Sequence, residues 1–352
     1  MTTKAANADN PEGGGSEADF ARQLTLLLGW RAFVESSADE TMLRLTKDEY
    51  DALSKEEQYA NDEERLDHHA RLQVVATSTV RKIVTCGRRL TILNRGAISA
   101  RRGLIATGPA NTGKTIALTQ LGLTHELQDR RRHPGQDGRI PVIYITVPPK
   151  ATHRMIAAEL ARFLGLPVLR SSNATDLTEA VVGVCIKART SLILVDEIHN
   201  ISGLTSNGAE ASDTLKYFSE RIPATFAYAG IDVENCGLLA GLRGDQIAAR
   251  FTSVETHAFP YNQEWKALVA QMEANLLLHQ HKPGTLTRLD RFLHTRTGGM
   301  IGTLSHQIRG AAVDAILTGS EKITKAGLLA VDLDIASGRK RPGRPPAPDS
   351  GQ

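Results

Sequence analysis

The sequence predicts an α/β chain: a parallel five-stranded sheet with helices on both faces, followed by a small helical lid. Three observations carry the prediction. Gly108-Pro109-Ala110-Asn111-Thr112-Gly113-Lys114-Thr115 matches G-x-x-x-x-G-K-[ST]. It stands between a short apolar run, 103–107, and a run from Ile116 to about Leu127 with apolar residues at helical spacing. Ser191 to Val195 is a second apolar run and ends in Asp196-Glu197, as suits a buried strand of a parallel sheet whose ligand sits at the strand ends. Short apolar runs and helical patterns then alternate until Gln263, beyond which the pattern is helical throughout.

Taken in order, residues 1–17 are small, polar and glycine-rich and read as disordered. Residues 18–34 hold Leu24, Leu26, Leu27, Leu28, Trp30 and Phe33 and predict a short docking helix. Residues 35–70 are rich in acids, among them Glu56, Glu57, Asp62, Glu63 and Glu64, and read as a solvated helical face. His68 to Ala100 carries Leu72, Val75, Val80, Ile83 and Leu90 at helical spacing, a lead-in to the core. Strands are expected at 103–107, 140–147, 191–196, 224–229 and 254–258, with helices over Met155–Leu164, Leu177–Ala188 and Asp213–Arg221 between them. Helices at 264–281, 285–296, 300–317 and 323–331 form the lid. The proline and glycine content from Gly338 onward excludes a packed element. The division is therefore a disordered 1–17, a helical 18–100, a nucleotide-binding core 101–260, a lid 261–335 and a disordered basic tail 336–352.

At 41% hydrophobic and 23% charged, the 352 residues have an ordinary globular composition. No apolar stretch approaches the roughly 18 residues of a membrane span, and the start of the chain lacks a secretory pattern. Cys86, Cys185 and Cys236 lack metal-ligand spacing, so a reduced, cytoplasmic setting is expected. The net charge of +3 resides in the tail, where Arg339, Lys340, Arg341 and Arg344 face Asp349 alone.

The eight-residue motif names a ligand and makes the core a P-loop NTPase. Its glycines let backbone N–H groups turn toward phosphate oxygens, and the following helix adds partial positive charge. Lys114 is expected at the β- and γ-phosphates of ATP, with the Thr115 hydroxyl and Asp196 on Mg²⁺. Glu197 is expected to polarise the attacking water.

The acidic pair continues as Asp196-Glu197-Ile198-His199-Asn200. With the strands and lid, this resembles the AAA+ ATPases, and within them the TniB/TnsC group of transposon target regulators. The stretch Gly244-Asp245-Gln246-Ile247-Ala248-Ala249-Arg250-Phe251 and the run Thr297-Gly298-Gly299-Met300-Ile301-Gly302 add to the resemblance, which spans roughly residues 70 to 330. It implies a homo-oligomer, ring or filament, that assembles on double-stranded DNA with ATP bound. Such an assembly recruits or activates a transposase and comes apart on hydrolysis. Arg250 matches the group's arginine finger, which acts on a neighbouring subunit's nucleotide. A helicase-loader or DNA-repair ATPase would carry the same catalytic residues, and a nucleotide-gated signalling switch would need no DNA.

Two positions depart from the AAA+ pattern. Ile231, not a polar sensor, follows Gly230, and the lid position often held by arginine is Gly302, with Arg309 two turns later. His199 reads as a polar neighbour of Glu197, not a metal ligand. The tail, with Gly343-Arg344-Pro345, resembles an AT-hook or serves as a generic polybasic end. Either would attract a phosphate backbone. Arg130-Arg131-Arg132 reads as a solvated helix end.

Overall fold

The computed structural model of the chain describes residues 23–37, 44–71, 74–169, 173–201, 206–235 and 248–333. The expected disordered start, the tail cations Arg339, Lys340, Arg341 and Arg344, and residues 244–247 of the finger stretch lie outside the described residues.

Five strands form one parallel sheet: β1 (Gly103–Thr107), β2 (Val142–Thr146), β3 (Leu192–Asp196), β4 (Thr225–Gly230) and β5 (Phe251–Glu255). Their spatial order is β2-β3-β4-β1-β5. Strands β1, β3 and β4 are buried along their whole length, which is why they read as unbroken apolar runs. The last strand is the exception. Only Val254 of β5 is buried, so this edge strand has a weak apolar signal, and it starts three residues before the expected 254–258.

Helices α1 (Leu27–Ser36), α2 (Lys47–Asp51), α3 (Lys55–Ala70) and α4 (Ser78–Asn94) precede the sheet. Between the strands run α5 (Lys114–Arg132), α6 (His153–Phe163), α7 (Ala174–Lys187) and α8 (Ser206–Arg221). The last described helices are α9 (Gln263–Ala274), α10 (Asp290–Thr297), α11 (Ile301–Leu317) and α12 (Lys325–Ala330). Buried apolar side chains fall into two clusters. One joins the sheet to α1 and α4–α8. The other gathers Trp265, Leu268, Leu286, Leu293, Leu304 and Leu328 among α9–α12. Among the described residues no helix is long and apolar enough to cross a membrane.

The acid-rich stretch is not wholly solvated. Capping boxes at Thr46/Glu49 and Ser54/Glu57 start α2 and α3. Then α3 turns one stripe inward against α11. Arg65 is 2% exposed and donates to Glu321 Oε2 at 2.7 Å and Glu321 Oε1 at 3.0 Å. A buried ion pair replaces the apolar residues that would have announced this face, so spacing alone could not show it.

Candidate nucleotide site

The phosphate loop leaves β1 at its carboxyl end and enters α5. Gly108 (φ 145°), Asn111 (φ 60°) and Gly113 (φ 87°) have positive φ, which turns the backbone around on itself. A Cβ on Gly108 would stand 2.1 Å from the Thr256 carbonyl oxygen, so glycine is required there. Thr256, just past β5, pins the loop: its hydroxyl lies 2.6 Å from that of Thr112 and donates to the Thr107 carbonyl at 3.1 Å. No side chain caps α5, whose N-cap is Gly113, and its first turn has no acid. The helix therefore presents its N–H groups and their positive field to the loop.

Lys114 is 8% exposed, and its Nζ donates to the Gly108 carbonyl at 2.9 Å and the Pro109 carbonyl at 2.6 Å. Burial pushes its ammonium downward, and the Asp196 and Glu197 carboxylates oppose that shift through space. Pro109, Ala110, Asn111 and Thr115 are exposed around the loop's mouth.

The acidic pair stands at the end of β3, two strands from β1 in the sheet order. Asp196 is 3% exposed. Its Oδ2 accepts from the Tyr144 hydroxyl at 3.0 Å and its Oδ1 from the Glu197 N–H at 2.8 Å. Burial first, then the neighbouring Asp196 carboxylate, pushes the Tyr144 phenol upward, so the phenol remains a donor. Glu197 adopts the left-handed region at φ 56°, a conformation that costs free energy in a non-glycine residue. It heads the short turn Ile198–Asn200. His199 Nε2 lies 3.3 Å from Glu197 Oε2, and its Nδ1 accepts the Ile231 N–H at 3.3 Å. That acceptance puts the imidazole proton on Nε2, facing Glu197.

Together these groups suit a magnesium nucleotide. Magnesium usually takes one or two protein oxygens and fills its remaining positions with phosphate and water. Among the described residues no group of three or more His, Cys, Asp or Glu could hold a metal by itself. Asp196 and the Thr115 hydroxyl are oxygen donors of the hard kind that such an ion takes.

Arg250 lies elsewhere. Its carbonyl accepts the Gly103 N–H at 3.0 Å, at the amino end of β1 and β5. The phosphate loop is at the carboxyl end, about 15 Å away at roughly 3.3 Å per strand residue. The Arg250 side chain is 40% exposed, and its Nη1 lies 3.8 Å from Glu220 Oε1.

The lid meets the loop through backbone. Gly302 N–H donates to the Asn111 carbonyl at 3.0 Å, and a Cβ on Gly302 would crowd Asn111 at 3.1 Å. Arg309 faces away: its Nε donates to the His69 carbonyl at 2.7 Å, and Nη2 bonds the Ala70 carbonyl. It caps the last turn of α3. Thr256, Tyr144 and the Gly302–Asn111 contact escaped the sequence reading, because each joins residues distant in the chain. Only the polar residue types at 144, in the middle of β2, and at 256, just past β5, could have hinted at two of them.

A family model described as "Bacterial TniB protein" matches residues 65–261. Comparison with curated proteins gives no match. Among solved structures, the Orc1 protein of Aeropyrum pernix in complex with DNA is 15% identical with TM-score 0.56, over 74% of this chain and 65% of that one. The Aeropyrum pernix Orc2 protein in ADPNP–ADP complexes is 14% identical with TM-score 0.50, over 71% and 65%. Drosophila ORC bound to DNA is 14% identical with TM-score 0.50, over 86% and 71%. This chain thus spans less than two thirds of the two Aeropyrum pernix proteins. The likeness, with the strand order, makes the fold that of the AAA+ ATPases.

Proposed function

The chain belongs to the TniB family, and from that premise we propose that it is an ATP-dependent, DNA-binding AAA+ ATPase. It assembles on target double-stranded DNA, recruits or activates a transposase there, and disassembles on hydrolysis. The observation that carries the reading is the division of labour across one sheet. Loop, lysine and acidic pair converge at its carboxyl end, and a half-exposed arginine stands at the other.

In this reading the loop N–H groups and the start of α5 receive the phosphates. Lys114 exchanges its two carbonyl partners for β- and γ-phosphate oxygens. Thr115 and Asp196 would hold Mg²⁺, which would offset negative charge on the transferring group. Glu197 takes a proton from water as the water oxygen bonds to the γ-phosphorus and the bond to the ADP oxygen breaks. His199 keeps the Glu197 carboxylate oriented. Arg250 of one copy meets the γ-phosphate held by the next, so hydrolysis requires a homo-oligomer. DNA as partner rests on the family, on the four cations of the tail, and on two proteins of like fold solved with DNA.

The test is ATP hydrolysis and particle size with and without duplex DNA. We expect DNA to stimulate hydrolysis and an unhydrolysable analogue to yield rings or filaments on the duplex. Hydrolysis and assembly indifferent to DNA would replace this reading with a nucleotide-gated switch.

A further inference from the structure

The short helix α1 reaches the nucleotide site through a single aromatic stack. Its anchor is Trp30, 1% exposed. The socket is shaped for an indole. Gly122 of α5 lies against it, and a Cβ there would stand 2.5 Å from Trp30 Cη2. Trp30 Nε1 donates to Glu126 Oε2 at 3.4 Å, and Arg130 Nε holds the other oxygen of that buried carboxylate at 3.0 Å. On its other side the indole stacks on Tyr144 of β2, with centroids 6.2 Å apart and planes 11° from parallel. The hydroxyl of that same tyrosine donates to Asp196 Oδ2 at 3.0 Å.

Asp196 therefore has one oxygen fixed by its neighbour's backbone and the other by Tyr144, each keeping a lone pair for a metal. Partners of this kind set the orientation of a ligating carboxylate and with it metal affinity. The Tyr144 ring is itself 5% exposed, with the Trp30 indole stacked beside it. We propose that Trp30 is a positioning residue for the magnesium nucleotide: docking of α1 holds Tyr144 on Asp196, and α1 thereby sets the affinity of the site for Mg²⁺. This rests on the nucleotide reading given above.

The experiment titrates Mg²⁺ against binding of a fluorescent ATP analogue to the full chain and reads the half-saturating Mg²⁺ concentration. Tyr144→Phe keeps the stack and loses the hydroxyl, and should raise that concentration about tenfold. Trp30→Ala should raise it several-fold, and Trp30→Phe, which retains a ring, should restore most of the loss. The decisive comparison is a double-mutant cycle: in the Tyr144→Phe background, Trp30→Ala should add less than about twofold. Gly122→Ala, whose Cβ would crowd Trp30 Cη2 at 2.5 Å and also Leu194 Cδ1 of β3 at 2.6 Å, should raise it at least as far as Trp30→Ala, and serves if the latter fails to fold. Thermal unfolding shows whether each variant is folded. A full additional loss in the Tyr144→Phe background, or folded Gly122→Ala protein with unchanged half-saturation, would overturn the inference while leaving the nucleotide site standing. Binding by the unaltered chain that ignores Mg²⁺ would overturn the Asp196 assignment and this inference with it.

Discussion

At the carboxyl end of the sheet the backbone is tied down on every side. Thr256 holds the loop to β1, Asn200 Nδ2 holds the turn after Glu197 to the Val147 carbonyl at 2.8 Å, and Gly302 joins the lid to Asn111. At the amino end, Arg101, Arg102, Lys216 and Arg250 line a pocket together with Phe251, which stacks on Tyr228 at 4.8 Å. One end is preorganised for a polyanion, and the other gathers cations where the same chain has no phosphate loop. The lesson is geometric. Parallel strands point one way, so groups at opposite ends of the sheet cannot meet within one copy, and a reaction needing both must draw them from two copies.

The sharpest way to break that comparison is Arg250→Ala. ATP binding should be unchanged while turnover falls by roughly 10³, the scale of a lost arginine finger. Equal losses of binding and turnover would place the residue's influence inside its own subunit. Glu197→Gln acts at the opposite end. It should leave binding intact and lower turnover by roughly 10² or more, and complexes with DNA should then persist longer. Single-turnover hydrolysis close to that of the unaltered protein would assign the base elsewhere.

These residues differ in how openly the sequence displays them. The phosphate loop and the acidic pair are contiguous, and each follows a strand buried enough to read as an apolar run. Strand β5 was legible as a strand but not in its bounds, since an edge strand with one buried residue gives little alternation. The groups that hold the site in shape were not legible. Thr112 and Thr256 are separated by 144 positions and Tyr144 and Asp196 by 52, and the second partner of His199, after the expected Glu197, is the Ile231 backbone N–H, which no sequence displays. Arg309 shows the converse. A plausible residue type near the expected lid position is committed to the end of α3, because helix carbonyls there need donors.

Two smaller effects sharpen the contrast. Lys114→Ala should weaken ATP binding at least tenfold, about 1.4 kcal/mol, as read by titration with a fluorescent analogue. Arg309→Ala should leave binding and turnover unchanged and cost about 2 kcal/mol of stability through two charge-assisted hydrogen bonds. Its check is denaturant unfolding alongside ATPase assays. A fall in turnover without loss of stability would return Arg309 to the nucleotide.

The claim that the site is completed between copies is tested most directly by mixing two impaired proteins. Lys114→Ala retains Arg250 and lacks a working loop, and Arg250→Ala retains the loop and lacks the arginine. If the two ends of the sheet serve different copies, mixed assemblies contain some interfaces with both groups intact, and ATP hydrolysis returns on mixing. Hydrolysis no greater than the sum of the separate variants, with co-assembly confirmed by labelled subunits, would contradict the account.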